Sequence, residues 1–203
     1  MRPRLLAFAV VVLLLASLLR ANRLIEGNDP EAEPFKKAVA ALVEAMGTGS
    51  LEKARAQYVG EGADLDLLKA YIDSINASKA VRAAVDAKFG ADPKRKLIAM
   101  DDAIARTAVH DFNTVIFDDG DRNAASSSAD SPLGVGIEFK KVNGEWKVRS
   151  LASEPNKPDE HTARLKAYTN ALNAVTAKVK AGGYASAADA VRAVREASGK
   201  LRP

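Results

Sequence analysis

The feature that most constrains the fold is the dipeptide Asn143-Gly144, which separates two runs of alternating apolar and polar residues. A two-residue type I′ turn needs positive φ at both central positions, and asparagine followed by glycine tolerates this best. The pattern therefore predicts a β-hairpin over residues 134–151. The turn sets a register that pairs Val142 with Glu145, Lys141 with Trp146, Phe139 with Val148, Glu138 with Arg149 and Ile137 with Ser150.

The predicted hairpin has one apolar and one charged face, because successive side chains of a strand point to opposite sides of a sheet. Such a hairpin belongs to an antiparallel sheet that is covered on one side and wet on the other. Trp146, the only tryptophan, is either a core residue with the Lys141 stem across its ring or a platform for a ligand. The apolar face comprises Val135, Ile137, Phe139, Trp146 and Val148.

The same two-residue period occurs upstream, in a candidate strand from Val109 to Phe117. Asp119-Gly120 is a second turn signal, and residues Arg122 to Ser128 are the candidate partner strand. These segments and the hairpin predict a four-stranded antiparallel meander with helical patterns on both sides. The predicted fold is therefore α+β, with N-terminal helices packed on a curved four-stranded antiparallel sheet and a C-terminal helical hairpin.

The flanking helices are predicted from apolar residues at helical spacing. Prolines, glycines and capping side chains such as Ser50, Asp64 and Ser186 mark their ends. The predicted helices run from Pro34 to Met46, from Ser50 to Tyr58, from Asp64 to Phe89 with a break near Asn76, over residues 94–107, from about Glu160 to Gly182, and from Ser186 to Gly199.

The C-terminal helices carry two further signals. A heptad-like apolar stripe over residues 165–179 either covers the chain's own domain or pairs with a second copy, which would make an oligomer. Residues 160–203 also hold eight basic and three acidic side chains. This excess of positive charge indicates a surface that docks on an acidic partner or an anionic membrane, or simply a solvated helical face.

The N-terminus has the character of a targeting segment. Arg2 and Arg4 precede an apolar run from Leu5 to Leu19, which is shorter than the about 20 residues of a membrane-spanning helix. The pattern predicts a signal peptide cleaved after Ala21, and the alternative is an uncleaved anchor formed by residues 5–19. The remainder is then exported to the periplasm or the extracellular space, and membrane contact is expected only through this segment. The chain has no cysteine, which excludes disulfides and favours a bacterial envelope.

These signals divide the chain into five parts. Prolines and polar residues mark the two predicted linkers. The predicted parts are residues 1–21 as signal peptide or membrane anchor, 22–33 as a linker, 34–152 as the α+β domain, 153–159 as a second linker, and 160–199 as a C-terminal helical extension.

The overall basic charge gives little support for nucleic-acid binding. Residues 1–21 hold three arginines and no acid, and the remainder holds 27 basic against 26 acidic side chains. Nucleic-acid binding needs a concentrated basic face, so no nucleic-acid partner is predicted. The partner remains open, with an envelope protein or a small apolar ligand as the candidates.

Few residues are candidates for catalysis. His110 lies beside Asp111, but neighbouring strand residues point to opposite faces and cannot enter one pocket together. His110 alone, or a carboxylate, remains a candidate base, and Tyr58 or Tyr71 is a candidate for polarising a carbonyl. The acidic residues around Gly120 do not match the spacing of a calcium-binding loop. No metal site and no cofactor are predicted.

The order of elements resembles the nuclear transport factor 2-like (cystatin-like) superfamily. The residues that carry the resemblance are the helix Phe35–Met46, the segment SLEKARAQYV at 50–59 and the terminal hairpin EFKKVNGEWKV, and together they span about residues 34–152. Uncharacterised secreted bacterial proteins are built in a similar way. The resemblance implies a cone-shaped apolar cavity between helices and sheet, in a fold that hosts isomerases, dehydratases, binding modules and structural domains.

Three functional hypotheses remain. The first is a non-catalytic exported envelope protein that binds a partner or a small ligand, and the absence of a recognisable catalytic motif favours it. The second is an isomerase or dehydratase that works inside the cone-shaped cavity. The third is a purely structural domain.

Overall fold

Five α-helices and five β-strands lie in the part of the chain that the computed structural model describes, which comprises residues 23–25, 30–92, 113–117, 123–127, 136–151 and 158–199. The helices are α1 (Glu33–Gly47), α2 (Leu51–Ala56), α3 (Ala63–Phe89), α4 (Pro158–Lys180) and α5 (Ala187–Ser198). The strands are β1 (Arg23–Ile25), β2 (Asn113–Phe117), β3 (Asn123–Ser127), β4 (Gly136–Val142) and β5 (Glu145–Ser150).

The first two helices form where the sequence predicts them. Pro34 lies in the first turn of α1, where its missing N–H breaks no helical hydrogen bond. The Ser50 hydroxyl accepts a hydrogen bond from the Lys53 N–H at 3.3 Å, which confirms the predicted cap of α2. The buried stripe of α1 has the predicted helical spacing and consists of Phe35, Val39, Leu42 and Met46.

Helix α3 runs unbroken for 27 residues, so the predicted break near Asn76 is wrong. The Asn76 side chain is exposed and its amide donates to the Gly49 carbonyl at 3.2 Å, so it does not compete for the hydrogen bonds of its own helix. The helix begins at Ala63 without a side-chain cap, so the predicted cap by Asp64 is also wrong. Because α1 and α4 both pack on α3, it buries residues around much of its circumference.

Helix α4 packs along α3 and runs parallel to it. The N-terminal halves of the two helices lie near each other: the pKa of the Asp66 carboxyl in α3 is lowered first by its hydrogen bond from Lys69 and further by the charge of Lys166 in α4. At the other end, the Lys88 amine comes within 3.0 Å of the position that a Cβ on Gly182 would take. The predicted stripe is buried in this contact, and α5 packs on α4 in turn. The buried members of the stripe are Leu165, Tyr168, Leu172, Val175 and Val179.

The sheet is a five-stranded antiparallel meander in the order β1-β2-β3-β4-β5. Residues 22–33 were predicted to be a linker, but β1 lies within them and pairs with β2, with Leu24 opposite Val115. The prediction of a four-stranded sheet is therefore wrong. The pairing joins segments about ninety residues apart in sequence, which no local pattern indicates.

The predicted packing of the N-terminal helices over the whole sheet is also wrong, because only α1 among them packs substantially on it in the described part of the chain. Most of the described chain is helical, and the main contact in it is helix on helix, between α3 and α4. The sheet meets the helices chiefly through the two-stranded β4–β5 hairpin, on which α1 packs. The chain is α+β only in the general sense that it contains both α-helices and an antiparallel sheet. The helices α1, α3, α4 and α5 share one apolar core with the hairpin.

The β4–β5 turn forms as predicted, with φ of +53° at Asn143 and +88° at Gly144. The pairs Lys141–Trp146 and Phe139–Val148 are confirmed. The pair Val142–Glu145 next to the turn is confirmed as well. The predicted pairs Glu138–Arg149 and Ile137–Ser150 are wrong, because a bulge shifts the register and sets Glu138 opposite Ser150. A bulge accommodates one extra residue on one strand. The extra residue is Arg149, which is exposed.

Some predictions lie outside the described residues. These are the signal or anchor at 1–21, the helix at 94–107, the turn at 119–120, Val135 and most of the linker at 153–159. None of the helices in the described ranges combines the length and the apolar character that a membrane-spanning helix requires.

Candidate functional site

The candidate catalytic tyrosines lie inside the core. Tyr58 is 3% exposed and Tyr71 is 4% exposed. The Tyr58 hydroxyl donates to the backbone carbonyl of Asp64 at 3.1 Å. Burial raises the pKa of both hydroxyls above the ordinary value, and the charge of Asp64 raises that of Tyr58 further. Both are therefore neutral, packed side chains, and the third candidate, His110, lies outside the described residues.

An aromatic cluster occupies the interface between α1 and the β4–β5 hairpin. The Phe35 ring centroid lies 5.1 Å from that of Phe139, nearly edge to face, and 4.8 Å from that of Trp146. The Lys141 amine lies 5.6 Å from the centre of the half-buried Trp146 ring, an arrangement that favours the core-residue alternative for Trp146. These rings are in contact between helix and hairpin, where the resemblance implied a cone-shaped apolar cavity.

The outer edge of β5 is covered by the segment that follows α2. The Val59 N–H donates to the Val148 carbonyl at 2.9 Å, and the Lys147 amine donates to the Ala56 carbonyl at 3.1 Å. Gly60 lies so close that a Cβ there would meet the Arg149 carbonyl oxygen at 2.2 Å. This edge of the hairpin is therefore closed by the chain itself, and β5 serves as scaffold.

A groove of about 600 Å³ lies beside α5. One wall consists of α5 residues, and the other includes Asp92, which follows the C-terminal end of α3. The groove therefore lies between two segments that are far apart in sequence. The Val191 and Ala187 side chains give it a half-buried apolar surface, and two exposed arginines also line it. The lining residues are Asp92, Ala187, Ala188, Val191, Arg192 and Arg195.

Local hydrogen bonds hold the N-terminal turn of α5 and one of the arginines. The Ser186 hydroxyl accepts from the Asp189 N–H at 3.2 Å, which confirms the predicted cap, and donates to the Asp189 carboxylate at 2.7 Å. The same carboxylate accepts from the Arg192 guanidinium at 2.7 Å. Arg195 has no ion-pair partner among the residues described. Its guanidinium and the remaining N–H groups of Arg192 can bind an anionic group.

The basic residues of the C-terminal region have two different settings. Lys178 and Lys180 lie in the last turn of α4, and Lys88 lies in the last turn of α3, where positive charge offsets the helix dipole. The Lys178 amine also lies 4.7 Å from the centre of the Tyr184 ring. The lysines therefore have a structural role at two adjoining helix ends, whereas Arg192 and Arg195 face the groove.

Sequence patterns did not predict this groove. The cap at Ser186 and the spacing of Arg192 and Arg195 are visible in the sequence, but the approach of Asp92 to α5 is a tertiary contact. Within the described ranges, no three histidine, cysteine, aspartate or glutamate side chains come together as metal ligands. The 165–179 stripe is buried inside the chain and offers no exposed surface to a second copy.

No protein-family model, curated protein or solved structure matches this chain. The resemblance to the nuclear transport factor 2-like superfamily therefore stays a prediction from the sequence.

Proposed function

We propose that this chain is exported by its N-terminal segment, residues 1–21, and works in the cell envelope as a non-catalytic interaction domain that binds another envelope protein. The observation that carries the proposal is the aromatic packing of Phe35 against Phe139 and Trp146. An isomerase of the implied kind needs an open cavity with a reactive group inside it. Here helix and hairpin are in direct ring contact.

The surroundings of the tyrosines support the same proposal. Tyr58 and Tyr71 are sealed from solvent, so a substrate would have to displace packed side chains before either hydroxyl could polarise its carbonyl. The groove at α5 instead presents the Arg192 and Arg195 guanidinium groups beside apolar surface, with Asp92 also in its lining. Such a surface suits recognition of another molecule, since protein interfaces combine apolar contacts with polar and charged ones.

The test uses the chain expressed from its full reading frame. Cells are fractionated, and a mild detergent extract of the envelope is separated by size. The expected result is that the chain occurs in the envelope fraction, in a complex larger than its own 21.5 kDa. The purified chain should return to a complex of the same size when it is added to an extract from cells that lack it. A chain found in the cytoplasm, or as a monomer in every extract, would refute the proposal.

A further inference from the structure

The two arginines of the groove are placed to act on one ligand. Residues three apart on a helix are neighbours on its surface, with Cβ atoms about 5–6 Å apart. Arg192 and Arg195 have this spacing and both line the groove. A guanidinium group presents a planar set of N–H donors that matches a carboxylate, so a pair of them can bind one or two carboxylates side by side.

Arg192 is held in place before any ligand binds. Its bond to Asp189 at 2.7 Å, and the bond of that carboxylate to Ser186, restrict a side chain that is otherwise 69% exposed. A side chain that is already ordered loses less conformational entropy on binding. The acidic residue at the groove, Asp92, has an interaction of its own.

The shape and the apolar content of the groove limit its occupant. Its volume of about 600 Å³ lies within the range of about 300–1,000 Å³ that ligand clefts have. Val191 and Ala187 offer contact to an apolar side chain next to the arginines. The groove thus suits a segment in which apolar and acidic side chains are neighbours.

Two other kinds of partner fit less well. A helix that lies on a membrane turns a broad apolar face to the lipid, but the apolar residues of α5 that could do so, Ala190, Val194 and Ala197, are buried inside the protein. Single-stranded nucleic acid is bound by aromatic rings between basic groups, and no aromatic residue occurs among the described residues that line the groove.

We propose that the α5 groove binds an acidic peptide segment of the envelope partner, with Arg192 and Arg195 on its carboxylates and an apolar side chain against Val191. This inference rests on the proposed function and specifies the chemistry of the partner.

The test measures binding of a fluorescein-labelled peptide that alternates glutamate and leucine, by fluorescence anisotropy at low salt. The variant R192Q/R195Q should bind this peptide about tenfold to a hundredfold more weakly, because each charge-assisted hydrogen bond contributes about 1.5–3 kcal/mol and 1.4 kcal/mol is a factor of ten. Arg55→Gln is the matched control, since Arg55 is an exposed arginine on α2, outside the groove lining. Its affinity should stay within about twofold of the wild type.

A second variant and a second probe keep the test decisive. Val191→Glu leaves both arginines but places a carboxylate between them and the peptide, so it should also weaken binding about tenfold. A peptide that alternates lysine and leucine should bind at least about tenfold more weakly than the acidic one. Unchanged binding in R192Q/R195Q, equal binding of the two peptides, or no binding of the acidic peptide would overturn the inference.

A failure of the groove inference can be distinguished from a failure of the proposed function. If R192Q/R195Q still enters the envelope complex at the wild-type level, the interaction domain stands and the groove inference fails. Binding to phosphatidylglycerol vesicles that depends on the two arginines, without binding of the acidic peptide, would also overturn the inference and would identify a membrane surface instead.

Discussion

Removal of the Phe35 ring tests whether the interface between α1 and the hairpin is as closely packed as the structure has it. Phe35 is 1% exposed and contacts the rings of Phe139 and Trp146. Phenylalanine-to-alanine changes in a core cost about 3–5 kcal/mol, which combines the lost burial with the cavity that remains. Phe35→Leu keeps most of the apolar volume and loses only the ring contacts, so it should cost about 1–2 kcal/mol.

The assay is urea unfolding of the full chain, followed by the fluorescence of Trp146 and in parallel by far-ultraviolet circular dichroism. Trp146 is the only tryptophan, and its ring centroid lies 4.8 Å from that of Phe35, so its emission reports on the same cluster. Phe35→Ala should lower the midpoint and shift the native emission to the red, because water reaches the indole. Lys37→Ala, at an exposed neighbouring position of α1, should change the free energy of unfolding by less than about 0.5 kcal/mol. If Phe35→Ala lowers the free energy of unfolding by less than about 1 kcal/mol, and the dependence of that free energy on urea concentration is unchanged, the close packing is refuted.

Three further predictions concern other parts of the core. Gly60→Ala should destabilise the chain by about 1–3 kcal/mol in urea unfolding, because the new methyl group would collide with the Arg149 carbonyl. Thr162→Val should raise the free energy of unfolding by about 1 kcal/mol, because the buried Thr162 hydroxyl has no hydrogen-bond partner in the described structure. Burial raises the pKa of Tyr58 and Tyr71 in the folded chain, so the unfolded chain loses these protons first. Stability is therefore fully present below about pH 10 and should fall above it, by up to about 1.4 kcal/mol per pH unit for each tyrosine, in unfolding curves recorded from neutral to alkaline pH.

Each of these predictions has its own control. Gly47→Ala meets no atom within 4 Å and should leave stability equal or slightly higher, so an equal loss at both glycines would contradict the collision. Thr162→Ser retains the hydroxyl and loses a methyl group, and it should be less stable than the wild type. Tyr71→Phe should remove part of the alkaline slope, and an unchanged slope would show that this hydroxyl is not shielded from water.

Local sequence was sufficient to predict the structure wherever a few neighbouring residues determine the backbone conformation. Asn143-Gly144 has the backbone angles that its turn type requires, and Ser50 and Ser186 cap the helices that they precede. The register of the hairpin next to its turn follows from the same chemistry. These outcomes depend on short-range sterics and hydrogen bonds, which the order of residues determines directly.

The sequence-based predictions that were wrong concern places where segments distant in sequence are in contact, or where the strand register changes. The tendency of Asn76 to end a helix was overridden by packing on α3 and by its bond to Gly49, which is 27 residues away. The bulge at Arg149 is likewise not indicated by the alternating pattern of the two strands. Local propensities amount to a few tenths of a kcal/mol per residue, whereas burial of one large side chain contributes about 1.5–3 kcal/mol.

The sequence by itself determined the hairpin turn, most helix limits and the apolar stripe over residues 165–179. Only the tertiary structure decided that this stripe faces α3 and not a second copy, that residues 23–25 join the sheet, and that Asp92 and α5 border a groove. The physical reason is that a pattern shows which face of an element is apolar, but not which other element covers it. That choice is made by the packing of the whole chain, because the hydrophobic effect rewards any burial and has no direction of its own.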